Sequence, residues 1–252
     1  MNMNIDTAII IPARYQSSRF PGKPLIDILG KSMIRRVWEQ CKEVLPSAKI
    51  FVATDSEKIA DHCSKNNMQV LITSSDCLTG TDRVHEASKQ IQADTIINVQ
   101  GDEPLINPED IKKVIEEAKK YPSQIINAMC PILEEKDFRS INVPKVVFRN
   151  DLQLLYMSRA PIPIDKINSF SKAWKQVCIY AFPKIALQDF AREATKTPLE
   201  FLEDIEILRF LELGYSVKMI EVSSSSIAID VPNDVGRVEK AIRLSSNYLF
   251  EK

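Results

Sequence analysis

Glycine is scarce in this chain: six in 252 residues, where ordinary composition would supply roughly 7%. The six stand at 22, 30, 80, 101, 214 and 236. No GxGxxG arises among them, so the dinucleotide-binding fingerprint is absent. Gly30-Lys31-Ser32 has the tail of a Walker A loop, but that motif's first glycine would fall on Leu25. Cysteine is sparse as well. Cys41, Cys63, Cys77, Cys130 and Cys178 form no CxxC pair, which argues against a zinc site and a disulfide framework. His62 and His85 have no partner at ligand spacing and read as structural. The net charge of −1 argues against a general nucleic-acid binder. No apolar run approaches the ~20 residues of a membrane span. The opening MNMNIDTAIII lacks the basic region of a signal peptide, so a cytoplasmic protein is expected, with no membrane partner.

What is present is an ordinary globular composition, 44% hydrophobic and 27% charged, with length enough for a sizeable core. One stretch organises it. Ile9-Ile10-Ile11 reads as a buried strand that Pro12 stops, since proline cannot donate to a sheet ladder. A loop follows with three cations, Arg14, Arg19 and Lys23, set between Pro12, Pro21, Gly22 and Pro24. It is either a proline-stiffened surface loop with solvated charges or a cradle for polyphosphate. A strand, a cationic loop and then a helix favour the cradle, because α/β proteins hold phosphates outside the carboxyl ends of their strands.

Downstream the pattern alternates. Helices are expected at Ser32–Leu45, with Ser32 as N-cap, at Glu57–Lys65, at about Arg83–Ile91 and from Pro108 to about Lys120. Strands are expected at 50–53, 69–72 and 95–99. Such alternation implies a parallel sheet within an α/β fold. After Tyr121-Pro122 the strands come closer together, at 125–131, 144–149, 152–158 and 176–182, which reads as a more antiparallel section. A helix at 202–213 stopped by Gly214, a strand at 217–222 and a helix at 232–249 complete the chain.

Two aspartates stand just beyond strand ends. Asp102, in Gln100-Gly101-Asp102-Glu103-Pro104, is either a turn residue before a proline or a ligand for a magnesium ion that bridges phosphates. Asp230, after Ile227-Ala228-Ile229, is either a cap or a second ligand. Thr79-Gly80-Thr81-Asp82-Arg83 suits nucleotide binding or a capped helix start equally. Glu206 and Arg209, one helical turn apart, can be a simple surface pair.

The segments IPARYQSSRFPGKPL, TGTDR, INVQGDEPLI, YMSRAPIP, PLEFLEDIEILRFLELG and IDVPNDV resemble the 3-deoxy-manno-octulosonate (Kdo) cytidylyltransferases over nearly the whole chain. The resemblance implies one Rossmann-like nucleotidyltransferase (GT-A-like) domain over 1–252. It would have a mixed central sheet and a strand-rich dimerisation section at about 125–183. It also implies a magnesium-dependent homodimer that transfers CMP from CTP to the anomeric hydroxyl of a 3-deoxy-ulosonic acid, for cell-surface polysaccharide synthesis. In that family Arg14, Arg19 and Lys23 would hold the triphosphate, with Ala13, Thr81 and Arg83 at the nucleotide. Asp102 and Asp230 would bind magnesium, and Arg14, Lys23, Asp102 and Asp230 would form the catalytic set. Gln100, Arg159, Gln176, Tyr180 and Glu206 would line the acceptor pocket, Arg159 against the sugar carboxylate.

The chain departs from the family at four places. Gln176 stands for a usual histidine, Phe182 for a tyrosine, Ile207 for a glutamine and Cys77 for a frequent histidine. Three of the four fall in segments the resemblance assigns to the sugar. The acceptor can therefore be a modified Kdo, such as the 8-amino-8-deoxy analogue. The alternatives are a cytidylyltransferase for another acidic sugar or a phosphonate, and a catalytically silent nucleotide-binding protein.

Overall fold

The structure is a computed structural model that describes residues 6–16, 20–223, 226–229 and 231–250, with side chains given as far as 244. Strand β1 (Thr7–Pro12) is buried at every position, as its apolar β-branched run requires. Past the cationic loop come β2 (Asp27–Ile28) and β3 (Lys31–Ser32), a small hairpin, and then α1 (Met33–Lys42). Ser32 caps α1 as expected, its hydroxyl accepting from Arg35 N at 3.3 Å. The alternation continues through β4 (Ile50–Thr54), α2 (Glu57–Lys65), β5 (Gln69–Ile72), α3 (Gly80–Ser88) and β6 (Thr95–Val99). Next are α4 (Pro108–Lys120), β7 (Ile125–Pro131), α5 (Glu135–Arg139), β8 (Lys145–Phe148), β9 (Leu154–Ser158) and β10 (Trp174–Pro183). The chain closes with α6 (Lys184–Phe190), α7 (Pro198–Glu203), α8 (Ile207–Glu212), β11 (Val217–Glu221) and α9 (Asp234–Phe250).

These elements form two compact units. The first takes the described residues of Ala8–Gln90, Val99–Ile111 and Ser225–Lys252. Its strands β1, β4 and β5 are parallel, with Ile9 opposite Ile50 and Phe51 opposite Gln69. Parallel neighbours need crossover connections, and α1 and α2 supply them. The second takes the described residues of Met1–Thr7, Ile91–Asn98 and Lys112–Ser224. There β11 runs parallel to β7, whereas β10 is antiparallel to β7 and β8 is antiparallel to both β9 and β10.

Two expectations are corrected. The helix expected at 202–213 is two short helices, α7 and α8, because Asp204 takes a left-handed conformation at φ 51° and breaks the run. Arg209 is not a surface charge. It is fully buried and forks onto Glu200, Nε to Oε2 at 2.6 Å and Nη2 to Oε1 at 2.8 Å. Its guanidinium also lies over the Phe190 ring, 3.7 Å from the centroid. The pair ties α7 to α8 across the break, and within α7 Glu200 is the buried residue.

Candidate active site

In the first unit the strand-end loop is held by two main-chain hydrogen bonds and a turn. Ala13 extends the ladder of β1 by donating its N–H to Ala53 O at 2.9 Å, and Arg14 then turns into solvent. Gly22 N donates to Tyr15 O at 2.8 Å and closes the loop, with Gly22 at φ +73°. A side chain there would be strained and would meet the Tyr15 ring at 3.4 Å. The turn at Lys23–Leu25 follows and aims Lys23 inward.

Lys23 Nζ donates to Asp102 Oδ2 at 3.0 Å and to Ile229 O at 2.8 Å. Gly101 lets the Asp102 turn come so near, since a Cβ on it would lie 3.0 Å from Pro12 O and 3.2 Å from Ile34 Cδ1. Ile229 is fixed by its N–H, which donates to Asp102 O at 2.9 Å, and by its buried side chain packed with Ile28, Met33 and Val238. A cation, a carboxylate and a carbonyl from three distant stretches thus converge. The carboxylate and carbonyl oxygens that hold the ammonium are hard donors, the type that suits magnesium. Among the described residues no group of three or more His, Cys, Asp or Glu side chains gathers as a ready metal site. Arg19 and Asp230 lie outside the described residues.

The TGTDR segment is a capped helix start. Thr79 Oγ1 accepts from Asp82 N at 3.2 Å while Asp82 accepts from Thr79 N at 2.9 Å, so α3 begins at Gly80, earlier than expected. Thr81 is buried in its first turn. Arg83 is only 3% exposed. It donates to Thr73 Oγ1 at 2.5 Å and to Ser74 O at 3.2 Å, and lies 3.5 Å from Asp55 Oδ2. Its guanidinium therefore ties the carboxyl ends of β4 and β5 together. Cys77 donates to Glu86 Oε2 at 3.2 Å, and burial with that carboxylate pushes its thiol up to about 12, so it is no thiolate. Gln100 is half-buried just past β6.

The second unit holds the remaining site candidates. Arg159 donates through Nη1 to Ile141 O at 2.9 Å, through Nη2 to Asp204 O at 2.9 Å and through Nε to Glu203 O. Three of its five N–H groups are thus taken by main-chain carbonyls, and Nη2 also lies 3.8 Å from the Asp204 carboxylate. Glu203 in turn accepts from Arg159 N at 2.8 Å and from Ser158 Oγ at 2.6 Å. Beneath them Lys145 is fully buried and donates to Arg159 O at 2.5 Å and Ser140 O at 2.8 Å. Burial, reinforced by the Arg159 charge, lowers its ammonium to about 8. Gln176 is half-buried, and its Nε2 donates to Asn127 Oδ1 at 3.1 Å. Tyr180 is buried and stacks on Phe182, which stacks on Phe210. Glu206 is half-buried at the start of α8. Phe182 and Ile207 are each 1% exposed, so these two departures are core residues and act on any acceptor only through packing.

The cytidylyltransferase family model matches residues 8–220. The chain belongs to the cytidylyltransferase family. This is a family of nucleotidyltransferases, and the α/β fold of the chain is the nucleotidyltransferase fold. A 3-deoxy-manno-octulosonate cytidylyltransferase from Syntrophotalea carbinolica is 40% identical over 245 residues, covering 93% of this chain and 97% of its own. An 8-amino-3,8-dideoxy-manno-octulosonate cytidylyltransferase from Shewanella halifaxensis is 38% identical over 240 residues, 92% of this chain and 96% of its own. The solved structure of a CMP:2-keto-3-deoxy-manno-octonic acid synthetase complexed with CTP superposes with a TM-score of 0.89 at 32% identity. The match covers 95% of this chain and 99% of that one.

Several polar groups that shape this cytidylyltransferase were not singled out from its sequence. Ile229 contributes only a carbonyl, which no residue pattern marks. Glu200 and Glu203 lie within PLEFLEDIEILR, where helical spacing marks Glu206 with Arg209 instead. Asn127 and Lys145 are marked in the sequence only as single polar residues in otherwise apolar strands.

Proposed function

We propose that the chain transfers CMP from CTP to the anomeric hydroxyl of a 3-deoxy-ulosonic acid and releases pyrophosphate. The observation that carries this reading is the convergence of Lys23, Asp102 and the Ile229 carbonyl at the end of β1, in a cytidylyltransferase. Arg14 and Lys23, with Arg19, bind the triphosphate, and Ala13 and Thr81 border the nucleotide. Arg83 acts there through the Asp55 and Thr73 ends of β4 and β5. Gln100, Arg159, Gln176, Tyr180 and Glu206 serve the acceptor, Arg159 with its positive charge and the N–H capacity its main-chain partners leave.

The acceptor hydroxyl oxygen forms a bond to the α-phosphorus as the bond to the β-phosphate oxygen breaks. The hydroxyl proton leaves to water and pyrophosphate carries away the negative charge. Lys23 and Arg14 stabilise charge that develops on the phosphates, and the fixed loop supplies alignment. Asp102, with Asp230, would hold magnesium, which when bound neutralises phosphate charge and activates a coordinated hydroxyl. Lys23, which donates to Asp102 in this structure, would stand beside that ion and the phosphates. The protein is read as a cytoplasmic homodimer that serves cell-surface polysaccharide synthesis. The test is pyrophosphate release from CTP and magnesium with Kdo and with its 8-amino-8-deoxy analogue, assayed side by side. Release with either supports the reading, and faster release with the analogue supports a modified acceptor.

A further inference from the structure

The β10–β7 ladder carries an irregularity beside Gln176. Val177 faces Ala128, yet the next pair is Tyr180 with Asn127, so Cys178 and Ile179 have no partner on β7. Such a bulge leaves carbonyls without ladder donors. Asn127, fully buried on β7, supplies them from its side chain: Nδ2 donates to Val177 O at 3.1 Å and to Ile179 O at 3.0 Å. Both amide hydrogens are then used, and the side chain can be fitted only one way round. Its Oδ1 must face Gln176, where it accepts from Nε2 at 3.1 Å.

The consequence passes on. Gln176 has its nitrogen held by Asn127, so its Oε1 is turned away from Asn127, and among the described residues nothing donates to that oxygen. We infer that Asn127 is a positioning residue that fixes the polarity of Gln176, so that position 176 presents a hydrogen-bond acceptor to the sugar and selects a donor-bearing substituent, a hydroxyl or an amine. This rests on the proposed placement of Gln176 at the acceptor. It goes beyond that placement by assigning the direction of the amide, which Asn127 and the bulge dictate. Gln and His are equivalent here, since either can donate one N–H to Asn127 Oδ1 and offer the remaining polar atom outward. An ionised Glu is not, because it has no hydrogen for Asn127.

The experiment compares Gln176→His, Gln176→Glu and Gln176→Ala with wild type, alone and combined with Asn127→Ser. Separate KM values for CTP and for the acceptor are read from pyrophosphate release. Gln176→His should hold the acceptor KM within about 3-fold, and Gln176→Glu should raise it about 10-fold or more, with the CTP KM unchanged. Asn127→Ser should raise the acceptor KM in wild type but add less than about 2-fold in the Gln176→Ala background, because it acts through Gln176. If Asn127→Ser does not fold, the His and Glu variants at 176 decide alone. An unchanged acceptor KM in Gln176→Glu, or additive effects of the two sites, would overturn the inference. Failure of the functional reading looks different: wild type itself would then release no pyrophosphate with either acceptor. Running Kdo and the 8-amino-8-deoxy analogue in parallel tells whether a hydroxyl or an amine is the donor that Gln176 accepts.

Discussion

Lys23 Nζ and Asp102 Oδ2 stand 3.0 Å apart, joined across 79 residues of sequence, and the same ammonium reaches the Ile229 carbonyl. The lysine side chain is 17% exposed and the aspartate 31%, so the contact is open to solvent and to ligands. A half-exposed pair of this kind contributes little to stability, at most ~1 kcal/mol. Its value lies in bringing an ammonium and a hard carboxylate oxygen to one point. Asp102→Asn is therefore expected to fold with an unfolding midpoint near wild type and to lose turnover by about 100-fold or more. Wild-type turnover in that variant would remove Asp102 from the site.

Gly101 tests the same geometry from the backbone. An alanine Cβ would sit 3.0 Å from the Pro12 carbonyl, a main-chain atom that cannot move without disturbing β1. Gly101→Ala should displace Asp102 and lower turnover strongly, with a modest loss of about 1–3 kcal/mol in stability from overpacking. Chemical denaturation and pyrophosphate release measure the two effects separately.

The two arginines of the first unit should behave in opposite ways. Arg14 is exposed, so Arg14→Ala should leave stability within about 0.5 kcal/mol while it raises the KM for CTP. Arg83 is buried against Thr73, Ser74 and Asp55, and Arg83→Met leaves that acidic group without its cation. That variant should lose about 2–4 kcal/mol and show a lower melting temperature.

Much of this architecture could be read from residue order. The buried run at Ile9–Ile11, the Ser32 cap and the helix over 57–65 follow from local chemistry, and the structure has them at those positions. What could not be read depends on partners far apart in sequence. Helical spacing sets Arg209 beside Glu206, whereas its buried ion pair is with Glu200, across a break set by the backbone of Asp204. The resemblance sets Arg159 against a sugar carboxylate, and three main-chain carbonyls claim most of its fork. The direction of the Gln176 amide follows from a bulge two residues wide, which no local pattern encodes.

The Glu200–Arg209 pair is fully buried on both sides. Removing one partner strands the other charge, so Arg209→Met should cost about 3–5 kcal/mol. Replacement of both partners by apolar residues of similar volume should restore part of that loss, because the desolvation cost disappears with the charges. Thermal unfolding of the single and double variants reads the difference.

Lys145 gives a pH signature. Its ammonium titrates near 8 in the folded chain against 10.5 when unperturbed, through burial and the neighbouring Arg159 charge. Below pH 8 both folded and unfolded states are protonated, and the whole cost of the buried charge is present. Between about pH 8 and 10.5 the unfolded state binds more protons than the folded one, so this contribution to stability rises with pH. Relative to Lys145→Met, wild type should thus gain stability when the pH is raised from about 8 to about 10, as urea unfolding at the two values would measure.

The most direct measurement is the mass of the product formed from CTP, magnesium and a 3-deoxy-ulosonic acid by the wild-type chain. The account predicts one CMP-sugar, formed with one pyrophosphate per molecule, from Kdo or its 8-amino-8-deoxy analogue. CTP that binds and remains intact with both acceptors would contradict it.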